Sequence, residues 1–344
     1  MSQSLNLVFC GTPQFAVPTL EKIVAAGHEV KLVLTQPDRP KGRGLELVAS
    51  PVKQSALRHN LPIYQPEKIK ANEELQVRLR EIAPEAIIVV GYGRIIPKWM
   101  LDLPRHGNIN LHASLLPKYR GAAPIQWAIA SGEEVTGVTT MRIDEGLDTG
   151  DILLQQDLPI NDDDTSETLA PRLAAIGADL MIETLQRLQA GTIAPKSQDH
   201  CDASLAPILT KEDARIDFHR TAQEIYNRLR GFQPWPGAFT KFRGKVLGVT
   251  AARPCSVLGR RSSAEPSGVD PVAHQHKESP VVDKSHPGGL AEGQLLTQGS
   301  QLFVGCGQGT TLELLEVQPE GKKRMPARDF VHGYRPGDAD KLGL

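Results

Sequence analysis

Residues 85–91 read EAIIVVG, the most continuous apolar strand in the chain. A run this short, stopped by a glycine, reads as a strand buried on both faces. Similar runs surround it: LNLVFCG (5–11), VKLVLT (30–35) and GNINLHA (107–113). The stretches between them, QFAVPTLEKIVAAGHEV closed near Gly27, PVKQSALRHN and NEELQVRLREIA, carry helical patterns, and LPIY adds a short strand. Strands spaced by helices of this length form a parallel sheet covered on both faces, so the first half is α/β. Ligands on such sheets bind outside the carboxyl ends of the strands.

The alternation is interrupted at TQPDRPKGRGLELVASP (35–51), where prolines and glycines interleave Arg39, Lys41 and Arg43. That composition predicts an exposed mobile loop, placed to grip phosphates if it lies beside the carboxyl end of the sheet. Beyond His112 come a helix from Pro124 and two strands, TGVTTMRI and DILLQQDLPI, joined by the acidic turn DEGLDTG (144–150). A long amphipathic helix then starts at Thr165 as N-cap. Residues 190–208 are polar and Pro/Gly-punctuated, which predicts an interdomain linker between a first domain over 1–189 and a second over 209–344. In the second, one helix (TAQEIYNRLRGF) precedes short strand-like pieces at hairpin spacing, the pattern of a small antiparallel barrel. Residues 256–291, rich in Ser, Pro, Gly and His, interrupt it as an insertion expected to be disordered.

The composition, 40% hydrophobic and 23% charged over 344 residues, suits a two-domain soluble protein with a real core. No run reaches the roughly 18 apolar residues of a membrane helix, and the start lacks a secretory pattern. Cys10, Cys201, Cys255 and Cys306 are scattered with no C-x-x-C pair, which predicts neither disulfides nor a zinc site and a reducing, cytosolic setting. His274, His276 and His286 fall in the insertion and read as solvated rather than metal-binding. The net charge of -1 divides into -5 over residues 1–205 and +4 over 206–344, so a basic second half follows an acidic first half. Gly11-Thr12-Pro13 lacks the three spaced glycines of a dinucleotide fingerprint and places Phe15 where a pyrophosphate would approach.

The chemistry gathers where GNINLHA stops. Positions i, i+2 and i+4 of a strand share a face, so Asn108, Asn110 and His112 point one way, with the last two about 6.6 Å apart. Hydrogen-bonded structural groups are one reading; an oxyanion-stabilising pair over the crevice is the other. RIDEGLDTGDIL offers four acids, Asp144, Glu145, Asp148 and Asp151. Asp148, at the end of the tight loop, is the one such a turn could aim back at the histidine; an Asx-turn role is the alternative. No Ser or Cys sits in a nucleophile elbow, so direct transfer between two bound substrates is expected.

The runs NLHASLLPKYRGAAPIQWAI, GVTTMRIDEGLDTGDIL, FCGTPQFA, TQPDRPKGRG and LTKEDARIDF resemble the methionyl-tRNA formyltransferases, in order over nearly the whole chain. The Asn-x-His, Ser-Leu-Leu-Pro and Asp-Thr-Gly set is shared by the wider 10-formyltetrahydrofolate-using group. The resemblance implies a Rossmann-like, mostly parallel sheet followed by an OB-like β-barrel. It implies Asn110, His112 and Asp148 as the catalytic trio. Ser114, Leu115, Leu116 and Pro117 would line the folate site, helped by Gly93, Arg94 and Ile95. The co-substrate would be 10-formyltetrahydrofolate, with no metal, and the partner initiator methionyl-tRNA, with no membrane; a cytoplasmic monomer is expected. The loop holding Arg39, Lys41 and Arg43 would enter the acceptor end of the tRNA. Lys241, Arg243, Lys245, Lys322, Lys323 and Arg324 are candidates for phosphate contact. The insertion is longer than the family usually carries. Rival readings are a folate-dependent formyltransferase for a nucleotide sugar or glycinamide ribonucleotide, a non-catalytic tRNA-binding or folate-sensing protein, and a nicotinamide oxidoreductase.

Overall fold

The computed structural model describes residues 4–41, 46–255, 289–337 and 339–343. It divides into two compact units, Met1–Ala128 with Glu133–Ile208, and Ile129–Gly132 with Leu209–Leu344. The chain runs first through β1 (Asn6–Gly11), α1 (Val17–Ala25), β2 (Glu29–Leu34), β3 (Arg39–Lys41), β4 (Glu46–Val48), α2 (Pro51–Arg58), β5 (Ile63–Tyr64) and α3 (Glu73–Ile82). Then follow β6 (Ala86–Val90), α4 (Lys98–Leu101), β7 (Asn108–His112), α5 (Pro124–Ala130), β8 (Val135–Arg142), β9 (Ile152–Pro159) and α6 (Ser166–Gln189).

Seven of these strands form one sheet in the order β5-β2-β1-β6-β7-β8-β9. The five from β5 to β7 are parallel, while β8 and β9 run antiparallel to their neighbours. The acidic turn is the loop of a β8–β9 hairpin, and a hairpin can only be antiparallel. Val8, Cys10, Leu32, Leu34, Ile87 and Val89 share a core with Leu75 and Leu79 of α3 and Met100 of α4. Leu7, Phe9 and Ile88, equally buried, alternate with them onto the opposite face. On that second face α6 lies over β7: a Cβ at Gly177 would come within 2.8 Å of Leu111 Cδ2. Leu111 therefore faces the helix, and Asn110 and His112 face the other way.

Thr165 caps α6 reciprocally, accepting from Thr168 N–H at 3.3 Å while its own N–H donates to Thr168 Oγ1 at 2.9 Å. The stretch expected as a strandless loop at 35–51 contains instead the antiparallel pair β3–β4, in which Arg39 stands opposite Val48. Pairing satisfies backbone groups that an open loop would leave to water.

The second unit contains α7 (Ala222–Gly231), β10 (Phe239–Phe242), β11 (Lys245–Pro254), β12 (Leu295–Gln298), β13 (Gln301–Gly305), β14 (Thr311–Pro319), β15 (Met325–Pro326) and α8 (Ala327–Tyr334). Its antiparallel sheet has the order β10-β11-β14-β13-β12, with β15 on β14. The two edges are joined by the C-terminal segment: Leu342 bridges Phe242 of β10, and Lys341 bridges Gln294 just before β12. This closure makes the sheet barrel-like and removes its open edges. Phe218, Ile225, Leu229, Phe242, Leu302 and Phe330 are among the side chains that fill it. The insertion expected over 256–291 falls outside the described residues at 256–288, and with it His274, His276 and His286. Among the described residues, no helix is long and apolar enough to cross a membrane.

Candidate active site

At the carboxyl end of β7 the chain turns across its neighbours, and polar side chains pin the turn. Thr139, opposite His112 in the β7–β8 register, donates from Oγ1 to Ser114 O at 2.7 Å and accepts Leu116 N–H at 3.2 Å. Gln155 Nε2 donates to Leu116 O at 2.9 Å. Ser114 Oγ donates to Lys118 O at 2.6 Å, and Ser114 and Leu116 are buried. The segment Ser114–Pro117 is therefore a fixed wall whose shape is set by β8 and β9.

The three polar residues of β7 part company here. Asn108 is structural: its Nδ2 donates to Met100 O (2.9 Å) and Leu101 O (3.2 Å), closing α4 onto the sheet. Asn110 is half-buried and its side-chain amide makes no hydrogen bond to a described residue. His112, 6% exposed, has Nε2 2.9 Å from Tyr119 O. A carbonyl only accepts, so Nε2 carries a proton. Nδ1 faces Asp148 Oδ2 at 3.6 Å. Tyr119 holds this carbonyl with φ +61°, a left-handed conformation rare for an aromatic residue, while its N–H donates to Ser204 Oγ at 2.9 Å.

The four acids of the turn take four different roles. Asp144 builds the turn itself, accepting Gly146 N–H (3.0 Å) and Thr149 Oγ1 (2.8 Å). Glu145 pairs with Lys98 at 3.2 Å, and Asp151 accepts Ser197 Oγ at 3.0 Å. Asp148, with φ +51°, is turned to His112, and its Oδ2 also accepts Gly121 N–H at 2.9 Å. Asn110, His112 and Asp148 are thus gathered at one end of the sheet, with a free amide beside an imidazole held between a carboxylate and a carbonyl. Burial pushes the thiol of Cys10, on β1, far above its ordinary value, which leaves it protonated and a poor nucleophile.

The loop after β6 forms the other side of this end of the sheet. Gln36 Nε2 donates to Tyr92 O (3.0 Å) and Gly93 O (3.4 Å), and Arg94 Nη1 to Glu67 O (2.6 Å), so the loop is fixed from both flanks. Ile95 is 89% exposed, an isoleucine presented to solvent on a loop anchored on both sides. Among the described residues, no group of three or more His, Cys, Asp or Glu side chains could hold a metal ion.

Sequence patterns did not single out Tyr119 O, Gly121 N–H, Arg120, Gln198 or Ser204. The last two lie in 190–208, the stretch read as a linker, and are hydrogen-bonded to the site. Their pairing spans 78 to 85 residues and leaves no periodic or motif signal. Of the basic candidates, Arg39 is exposed on β3, Lys41 closes β3, and Arg43 lies outside the described residues. In the second unit Lys241 and Lys245 are exposed on paired strands β10 and β11. Val246 and Glu320 exchange backbone and carboxylate hydrogen bonds, bringing the exposed turn of Lys322, Lys323 and Arg324 beside that hairpin. Arg243 is engaged instead, with Nε and Nη2 on Asp340 at 2.9 and 2.7 Å and Nη1 on Tyr334 O at 3.2 Å.

Residues 5–185 match a family model described as formyl transferase, and residues 208–335 one described as formyl transferase, C-terminal domain. The methionyl-tRNA formyltransferase of Koribacter versatilis is 63% identical over 337 residues, 98% of each chain. That of Acidobacterium capsulatum is 57% identical over 339 residues, 98% of this chain and 100% of the relative. Among solved structures, the N-formyltransferase from Helicobacter canadensis in complex with folinic acid and dTDP-3-aminofucose is 19% identical. It superposes with a TM-score of 0.63 over 92% of this chain and 99% of its own, a likeness of fold.

Proposed function

The chain belongs to the formyl transferase family, alongside the methionyl-tRNA formyltransferases, and on that premise we propose that Asn110, His112 and Asp148 carry the transfer. It is an enzyme that places a formyl group on the amino group of methionyl-tRNA. The formyl donor is 10-formyltetrahydrofolate, which supplies an electrophilic carbon on a nitrogen able to leave. The exposed Ile95 and the wall of Leu115 and Pro117 suit a flat pterin, with the Tyr92–Ile95 loop giving backbone groups to its edges, while Ser114 and Leu116, both buried, hold that wall from behind.

One observation carries this reading: the unpartnered Asn110 amide next to His112. Asn110 donates to the formyl oxygen as negative charge builds there, and His112 becomes a second donor by exchanging Tyr119 O for the substrate oxygen at Nε2. The amine nitrogen forms the new C–N bond while the bond to the folate nitrogen breaks. Asp148 receives the proton the amine loses and, through a water, returns it to the folate nitrogen that leaves. The partner is initiator methionyl-tRNA, with phosphate contacts from Arg39, Lys41 and Arg43 and from Lys241, Lys245, Lys322, Lys323 and Arg324. Arg243 contributes by shaping the same hairpin. Free thiols at Cys10, Cys201, Cys255 and Cys306 support a reducing, cytoplasmic setting, and we take the enzyme to act as a monomer.

The test follows acid-stable formyl label from 10-formyltetrahydrofolate onto methionyl-tRNA. His112→Ala and Asp148→Asn should each lower kcat on the order of 10²–10⁴ with KM for both substrates nearly unchanged. Label reaching an amino-sugar nucleotide but not methionyl-tRNA, or wild-type turnover in both variants, defeats the proposal.

A further inference from the structure

Next to Gly121, whose N–H holds the Asp148 carboxylate, the first unit buries a guanidinium that the transfer step does not use. Arg120 is 6% exposed and has no carboxylate within ion-pair distance among the described residues. Its partners are an amide and an imidazole: Nε and Nη2 donate to Gln198 Oε1 at 3.1 and 2.7 Å, and Nη1 to His200 Nδ1 at 3.1 Å. A guanidinium can only donate, so His200 must present an unprotonated Nδ1 and Gln198 its oxygen. That fixes which way the Gln198 amide faces. Its Nε2 is left to donate to Asp148 O at 2.9 Å and Gly150 O at 2.7 Å.

The first of these carbonyls belongs to the residue whose backbone most needs support, and the second lies two residues beyond it. Asp148 sits at φ +51°, a conformation that persists only where its surroundings over-determine it. The Arg120 backbone is itself anchored: its N–H donates to Ser204 O at 2.8 Å and its carbonyl accepts Ala206 N–H at 2.7 Å. The next residue, Gly121, supplies the N–H that holds the Asp148 carboxylate. Backbone and side chain of the acid are thereby both referred to one short segment, Arg120–Gly121.

We propose that Gln198, oriented by Arg120, is a positioning residue that holds the Asp148 backbone so that its carboxylate meets His112. It touches no reacting atom and acts only through Asp148. The proposal rests on the catalytic reading of His112 and Asp148. His112→Ala, run in parallel, tests that reading on its own, since the clamp does not contact the imidazole.

The informative variant is Gln198→Glu, which keeps an oxygen for Arg120 and allows an ion pair there but removes both donors to the Asp148 and Gly150 carbonyls. Measured in the full chain with methionyl-tRNA and 10-formyltetrahydrofolate, it should lower kcat about 100-fold while KM for both substrates stays within about threefold. Methionyl-tRNA binding should hold near wild type, while the thermal midpoint should fall by a few degrees as two carbonyls lose their donor. In an Asp148→Asn background the same substitution should lower kcat by no more than about twofold, because residues acting as one unit are not additive. Wild-type kcat in Gln198→Glu overturns the clamp. So does a full 100-fold loss that persists in the Asp148→Asn background, which would mean Gln198 acts elsewhere. If Gln198→Glu folds poorly, Arg120→Lys, which keeps the charge but frees the amide to turn, should show the same dependence on Asp148; its absence counts against the proposal equally.

Discussion

Gly121 concentrates two demands that no other residue could meet together. Its N–H holds the Asp148 carboxylate at 2.9 Å, and its φ of +120° lies where L-residues are strained. A Cβ there would come 2.7 Å from Ala206 O, a backbone atom with nowhere to yield. Gly121→Ala should therefore destabilise the protein by more than about 1 kcal/mol and also displace the acid. A urea titration should show the lower midpoint, and kcat of the folded variant should fall well before KM moves. A variant that is less stable yet turns over normally would show that the Asp148 carboxylate does not depend on this N–H. The residue scale also shows why motif reading found the trio but not its support. Asn110, His112 and Asp148 lie in short, dense motifs, whereas Tyr119 O and Gly121 N–H are backbone groups, invisible to any residue-type pattern.

Among elements, α6 was the most fully legible, because its start is written in local chemistry: Thr165 as cap, then an amphipathic stripe. The buried parallel strands were equally plain from their apolar runs. Three features escape such a reading: the β3–β4 pair inside a Pro/Gly-rich stretch, the short α8 helix, and the barrel closure by Lys341 and Leu342, which is made by distant pairing. The strand pair and the closure have no apolar period of their own, and the closure exists because a remote partner satisfies it; α8 does carry one, with Ala327, Phe330, Val331 and Tyr334 at helical spacing. One element-level charge was missed as well. Asp164, just ahead of α6, accepts Asn161 N–H (2.7 Å) and Thr168 Oγ1 (2.9 Å) and pairs with Arg172 (2.5 Å). Burial pushes its carboxyl up, but these hydrogen bonds and the guanidinium outweigh that and hold it below the ordinary value. A carboxyl depressed in the folded state contributes stability that is complete above its unfolded pKa and is lost as pH falls through the folded one. Asp164→Asn should thus be less stable than wild type at pH 7, by about 1–3 kcal/mol. The gap should close progressively in the acid range below the ordinary carboxylate pKa. Unfolding midpoints measured from pH 7 downward check this; a gap that widened toward acid would contradict it.

For the whole molecule, the uneven charge, -5 over residues 1–205 and +4 over 206–344, only becomes a statement about tRNA once individual side chains are sorted. Lys241 and Lys245 and the turn of Lys322, Lys323 and Arg324 are exposed and lie together on one end of the barrel. Arg243 shares their sign and neighbourhood but is committed to Asp340 and to the carbonyls of Tyr334 and Arg335. Phosphate contacts release counterions, so each one lost should reduce the slope of log affinity against log salt by about 1. Reversing Lys322, Lys323 and Arg324 to Glu should weaken methionyl-tRNA binding at low salt and flatten that slope by about three. The thermal midpoint should scarcely change, since these side chains are exposed. Arg243→Ala should do the opposite, lowering the midpoint of the second unit's unfolding while leaving the salt slope close to wild type. Filter binding across a salt series, paired with thermal unfolding of the same two variants, separates these outcomes. A triple reversal with unchanged affinity and slope would remove this surface from the tRNA contact and leave the basic second half as solvated charge.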